Sequence, residues 1–259
     1  MVKINIVSDK DGWVLQRISE ELHKRLPDSK IYPFGAQYRD ADWTWYCHFS
    51  LCLRENVNTK IGGLFTHFVP GQEQAWKLAS RKLDHCFSMS EPWANHLPPE
   101  KTSVTKCGLF DHFIQPLRIL FINKENNGNA WRKGVTLQRE LKSRFPQVEW
   151  MHINGGLTNE QMVEKIRSVD YVCSTSRVEG GAMPYIESIA LGKSLILRNS
   201  EEIGYLEECR NYGDVLRYSS DDELFNIVEM LINTRDALHE EFSWDKFAEQ
   251  HLKIFSGKN

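Results

Sequence analysis

Residues 174–197, STSRVEGGAMPYIESIALGKSLIL, gather side chains and backbone suited to a phosphorylated, hydroxyl-rich ligand. Glu179 and Glu187 stand eight positions apart around a Gly-Gly-Ala-Met-Pro turn. The apolar run DYVC at 170–173 predicts a strand before the turn, and 185–191 predicts a helix after it. A strand, a glycine turn and a helix N-terminus make an anion site. Unpaired amides at Gly180, Gly181, Ala182 and Met183 can point at a phosphate, and the helix dipole adds favourable potential. Pro184 suits a first helical turn, where its missing N–H costs nothing. Two carboxylates repel a bare phosphate but accept well from sugar hydroxyls. The local chemistry therefore suits a nucleotide sugar, with the diphosphate on the amides and one glutamate on each sugar. The plainer reading gives Glu187 to the first helical turn, where acids are favoured anyway, and Glu179 to a solvated loop.

The rest of the chain bounds what such a site can belong to. With 259 residues it can hold two domains of about 120 residues each or one large one. Its apolar content of 41% and charged content of 26% are ordinary for a globular protein. A net charge of −3 gives no global electrostatic case for nucleic acid or membrane. No apolar run reaches the roughly 18 residues of a spanning helix, so no integral membrane segment is expected. The start, MVKINIVSDKDG, does not read as a signal peptide. Six cysteines lie scattered without C-x-x-C spacing, which suits buried thiols in a reducing cytoplasm and not a metal site. A cytoplasmic location is the expectation.

Strand and helix patterns alternate along the chain. Residues 3–7 (KINIV) predict a short buried strand, followed by a turn at 9–12. Val14, Leu15, Ile18, Leu22 and Leu26 then recur at helical spacing. Residues 61–65 and 86–88 read as strands. The pattern restarts at 117–122 (LRILFI), with a helix at 134–145, a strand at 148–153, a helix at 159–168 and a strand at 194–197. Such alternation argues for parallel doubly wound sheets, and the restart for two of them, joined near 111–116. Residues 242–255, FSWDKFAEQHLKIF, are amphipathic. A dinucleotide-binding dehydrogenase is disfavoured, because no G-x-G-x-x-G follows the first strand.

The string Ser176, Arg177, Glu179, Gly180, Gly181, Pro184, Glu187, Ala190 and Gly192 resembles the E-x7-E donor motif of retaining GT-B glycosyltransferases, in particular the family-4 group. It departs from that pattern with Gly181 for an aromatic, Ala182 for a second Gly and Ser194 for a Pro. The segments 88–97, 104–116 and 242–255 resemble, in the same order, a helix start of the N-domain, the interdomain linker, and the helix that returns to the N-domain. The resemblance implies a GT-B fold, α/β, with two Rossmann-like domains facing across a cleft. Residues 1–114 would form the acceptor side, 115–241 the donor domain and 242–259 the returning helix.

The resemblance also implies roles. Lys133, before Gly134, matches the Lys that neutralises the donor diphosphate. Lys124 occupies the position of its partner Arg, with Arg132 in reserve. A fixed cation stabilises a leaving diphosphate in place of a metal, so no metal and no cofactor are expected. By residue type alone, these basic side chains would read as a solvated face. Gly12 matches in kind a glycine loop beside the donor. His67 matches a histidine at the carboxyl end of a central N-domain strand, the end where parallel sheets bind ligands; it could equally be a core or capping histidine. Glu187 would take ribose hydroxyls and Glu179 those of the donor sugar. The aromatic group Trp43, Trp45, Tyr46 and His48 either lines the acceptor side or, as alternation within a strand suggests, packs in the core with one face buried.

The expected activity is that of a retaining, metal-independent glycosyltransferase. Its donor would be a nucleoside-diphosphate sugar, with UDP the expected carrier, and its acceptor a hydroxyl of unknown identity. Two alternatives remain open. DNA is a possible acceptor, through a hydroxymethylated pyrimidine; residues 1–115 hold 14 basic and 13 acidic side chains and residues 116–259 hold 18 and 22, a faint hint only. A non-catalytic nucleotide-sugar binding module is the other.

Overall fold

Short apolar strands that are buried along their whole length need cover on both faces. Parallel sheets flanked by crossover helices provide it. The computed structural model describes residues 1–8, 14–123, 129–180 and 183–258. These divide into two compact units, one of residues 1–113 with 238–259 and the other of residues 114–237.

In the first unit the order is β1 (Ile4–Ser8), α1 (Val14–Arg25), β2 (Ser29–Pro33), β3 (Trp43–Tyr46), β4 (Lys60–Phe65), α2 (Glu73–Lys82), β5 (His85–Ser88), α3 (Glu91–Ala94) and β6 (Thr102–Val104). The strands pair in the order β2-β1-β3-β4-β5-β6, all parallel. The second unit contains β7 (Arg118–Ile122), α4 (Val135–Arg144), β8 (Glu149–Ile153), α5 (Asn159–Arg167), β9 (Tyr171–Cys173), α6 (Met183–Ala190), β10 (Ser194–Arg198), α7 (Leu206–Tyr212) and β11 (Val215–Tyr218). Its order is β11-β10-β9-β7-β8, again all parallel. The long α8 (Asp221–Glu241) runs across the boundary at 237/238, and α9 (Trp244–Phe255) belongs to the first unit. The fold is therefore α/β with two doubly wound, Rossmann-like units. Among the described residues no helix is long and apolar enough to cross a membrane.

Chain order places a switch point in each sheet. In the second unit the chain steps from β7 outward to β8, then returns to the far side of β7 as β9. The connections leaving β7 and β9 therefore lead to opposite sides of β7 in the strand order, and the carboxyl ends of strands at such a switch point are where open parallel sheets bind ligands.

The amphipathic C-terminal segment packs as its spacing demands. Trp244, Phe247, Ala248, His251 and Phe255 lie on one face of α9 and are buried. Ser243 caps the helix, accepting from the amides of Asp245 at 3.2 Å and Lys246 at 3.4 Å. The His251 ring stacks on Phe87 at 4.2 Å, and Phe255 meets Trp43 at 5.2 Å.

Two expectations change. Alternation of Trp43 and Trp45 predicts one buried strand face, yet all four residues of β3 are buried, because β3 lies between β1 and β4 with both faces covered. Trp43, Trp45 and Tyr46 are core, and the Trp43 Nε1–H donates to the Phe255 carbonyl at 3.0 Å. His48 is half-buried and caps the 3-10 segment Phe49–Arg54. The motif helix also starts earlier than its pattern suggests, at Met183, so Glu187 falls in its second turn instead of its first.

Candidate functional site

At the carboxyl ends of β7 and β9 two loops touch. After β7 the chain passes Asn123, and residues 129–134 turn into α4. After β9 it runs through Ser174–Ser176, all buried, to Arg177, Val178, Glu179 and Gly180. Gly134 is where the loops meet. Its φ is +66°, and an added Cβ would lie 2.1 Å from the Thr175 carbonyl oxygen, so only glycine allows this approach. Thr175 Oγ1 donates to the Lys133 carbonyl at 2.8 Å, and Gln138 Nε2 donates to Thr175 Oγ1 at 2.8 Å. The Arg177 amide donates to the Arg132 carbonyl at 2.8 Å.

This stitching turns Lys133 toward Glu179, 46 positions away in sequence, and their side chains form an ion pair. Only 10% of the Lys133 side chain and 19% of the Glu179 side chain are exposed. Arg132 lies further out, 38% exposed, 3.8 Å from the same Glu179 oxygen, and donates to the Val178 carbonyl at 3.2 Å. Three formal charges, two positive and one negative, thus gather where the two loops meet.

Glu179 is held from the other side as well. Its amide donates to the Glu202 carbonyl at 2.8 Å, and its carbonyl accepts from the Gly204 amide at 2.7 Å, so it pairs as a strand residue with Ile203. An added Cβ at Gly204 would lie 2.4 Å from the Gly180 carbonyl oxygen. Beneath it, the Tyr185 hydroxyl donates to Ser174 Oγ, and the Tyr218 hydroxyl donates to the Ser174 carbonyl at 2.6 Å. Burial pushes both phenols up, so both keep the proton they donate.

Among the described residues, an added Cβ at Gly180 would meet no atom within 4 Å. Beyond the turn α6 starts at Met183, with Pro184 at its second position, where a missing N–H is harmless. Glu187 projects from the second turn and is exposed. The two motif glutamates therefore differ in kind. Glu179 is pinned and paired, and Glu187 is solvated.

Gly12, Lys124, Gly181 and Ala182 lie outside the described residues. His67 is exposed in the loop just past the carboxyl end of β4, and its Nδ1 lies 2.9 Å from Thr66 Oγ1. It belongs to the first unit, whereas Lys133, Arg132, Glu179, Gly180, Met183 and Glu187 all belong to the second.

Several supporting residues do not stand out in the sequence. Thr175, Gln138, Ser174, Tyr185 and Gly204 brace the two functional loops. Only Gly204 leaves a local trace, as a glycine shortly after a predicted strand. An open pocket of about 710 Å³ also adjoins the Glu179 brace, lined by Asn199, Ser200, Ile203, Tyr205 and three glutamates. Its described lining holds no basic residue, in contrast to the loops that carry Arg132 and Lys133. Among the described residues no three His, Cys, Asp or Glu side chains are grouped to hold a metal ion.

No protein-family model matches the chain, and no curated protein matches it. Among solved structures it is similar to Anabaena HepE (Alr3699) in complex with UDP, at 11% identity and a TM-score of 0.44, over 99% of this chain and 100% of that one. It is similar to a glycosyltransferase from Rickettsia africae ESF-5 at 13% identity and a TM-score of 0.40, over 99% and 98% of the two chains. It is also similar to the apo form of the lipopolysaccharide outer core galactosyltransferase WaaB, at 12% identity and a TM-score of 0.40, over 99% and 100%.

Proposed function

We propose that the protein is a retaining, metal-independent glycosyltransferase that moves a sugar from a nucleoside-diphosphate sugar to a hydroxyl acceptor. The observation that carries this reading is the meeting of Lys133 and Glu179 at the switch point of the second sheet. One is a fixed cation suited to a diphosphate, the other a fixed carboxylate suited to sugar hydroxyls, and they stand side by side.

In this reading Lys133, with Arg132 and Lys124 as further cations, takes the diphosphate together with the amides of the turn 180–183. Glu187, exposed one helical turn on, takes the ribose hydroxyls. Glu179 takes hydroxyls of the donor sugar. Negative charge grows on the diphosphate as the bond to the sugar breaks, and a preorganised ammonium stabilises it without reorganisation cost. The acceptor hydroxyl attacks from the face that the diphosphate leaves, and the leaving phosphate takes its proton.

The test is a panel of nucleotide sugars assayed by thermal shift, then by donor consumption with and without candidate acceptors. A specific donor at 100 times its Kd should stabilise the fold by about 2.7 kcal/mol. Acceptor-dependent release of nucleoside diphosphate supports the transferase. Tight binding with no transfer to any glycan, lipid, small-molecule or DNA acceptor would leave a binding module instead.

A further inference from the structure

The Lys133–Glu179 ion pair ties together the two groups that must serve different parts of the donor. Neither side chain has much water around it. A buried ion whose partner is withdrawn keeps its desolvation cost and loses its compensation. Lys133 can therefore turn to a diphosphate at little cost only if Glu179 finds new hydrogen-bond donors in the same event. An intact nucleotide sugar supplies both replacements, phosphate oxygens for Lys133 and hydroxyls for Glu179. A free nucleoside diphosphate supplies only the first, and it adds negative charge beside a carboxylate that has lost its cation. Arg132, 3.8 Å from the same oxygen, can offset part of that loss.

We propose that the Lys133–Glu179 pair acts as a donor-completeness sensor: it makes the intact nucleotide sugar the preferred ligand and the nucleoside diphosphate product the weaker one. This rests on the donor site proposed above. Its consequence is product release. Once the sugar has been transferred, Glu179 reclaims Lys133 and competes with the diphosphate for it. In this role Glu179 disfavours the product, quite apart from any contact it makes with the sugar.

The decisive readout needs no knowledge of the sugar. UDP, GDP, ADP, CDP and dTDP are titrated calorimetrically into the wild type, Glu179→Gln and Glu179→Ala. Removing the carboxylate frees Lys133, so the nucleoside diphosphate that binds the wild type should bind both variants more tightly, by about tenfold, equivalent to about 1.4 kcal/mol. Arg132→Gln should do the opposite and weaken the binding of that diphosphate. A merely structural Glu179 would not raise affinity when lost. Unfolding curves of each variant, with and without the diphosphate, establish that a folded protein is being titrated. A weaker or unchanged diphosphate affinity in both Glu179 variants would overturn the sensor and leave the donor site standing. If no nucleoside diphosphate binds either the wild type or the Glu179 variants at millimolar concentration, the donor-site reading itself fails, and the sensor with it.

Discussion

At the scale of single residues, the two motif glutamates are chemically unlike. Glu179 is pinned by backbone bonds to Glu202 and Gly204 and paired with Lys133, whereas Glu187 is exposed on α6. Glu179→Ala should lower kcat and kcat/KM together, because a carboxylate bonded to the reacting sugar gains most as positive charge builds on the ring. A rise in donor KM alone, in steady-state kinetics, would make its contribution uniform binding. Glu187→Gln should weaken donor binding by about 1–3 kcal/mol, the strength of a charge-assisted bond to ribose. Calorimetry checks this, and unaltered affinity for the nucleoside diphosphate would remove Glu187 from the ribose. The spacing of these glutamates is legible in the sequence because a strand, a glycine turn and a helix are contiguous there. Their difference in burial is not. It depends on Lys133, which lies 46 positions away.

At the scale of elements, the site depends on two glycines that allow loops to touch. At Gly204 a Cβ would fall 2.4 Å from the Gly180 carbonyl oxygen, so Gly204→Ala must open the brace behind Glu179. The expected cost is about 1–3 kcal/mol of stability, typical of overpacking, together with a clear loss of donor affinity. Urea unfolding and calorimetry on the same variant test both halves, and full donor affinity would mean that the brace does not position Glu179. The alternation of apolar runs and helical spacing makes β1, β4, β7, β9, β10, α1, α4 and α5 legible in the amino-acid sequence alone. The strands β2 and β6 and the helix α7 leave no such pattern. The first two are short and only partly buried, and α7 has seven residues with a single buried one, so none carries a strong apolar period. β3 is legible as an element, but not as a central strand. Burial on both faces follows from strand order, which local sequence does not encode.

At the scale of the whole molecule, α9 closes the core of the first unit and brings a histidine into it. His251 is fully buried; its Nδ1–H donates to the Phe247 carbonyl at 2.8 Å, and among the described residues its Nε2 has no hydrogen-bond partner. Burial pushes its pKa down to about 3, and pushes that of His85 down as well. The unfolded chain, with histidine near about 6.5, takes up a proton that the folded chain refuses. Stability from this source is complete above about pH 6.5 and is lost as pH falls toward 3, by up to about 1.4 kcal/mol per unit. Between pH 7 and pH 5 His251 should account for about 2 kcal/mol. Urea unfolding at the two pH values, repeated on His251→Phe, should show a shallower pH dependence in the variant; an equal dependence would place the titration elsewhere. The proposed donor site makes a further demand on the intact protein, that transfer persist in a metal chelator, with Lys133 in the place a metal would otherwise take. Complete loss of transfer in EDTA, restored by a divalent ion, would contradict it. The most direct test of the central claim is the affinity of the whole protein for its nucleotide-sugar donor, measured by calorimetry on the wild type and on Lys133→Gln. A donor site at the carboxyl ends of β7 and β9 predicts a donor that binds the wild type and loses at least about tenfold in affinity, some 1.4 kcal/mol, with the variant still folded. Equal affinity in the two proteins would contradict it and move the donor away from the switch point.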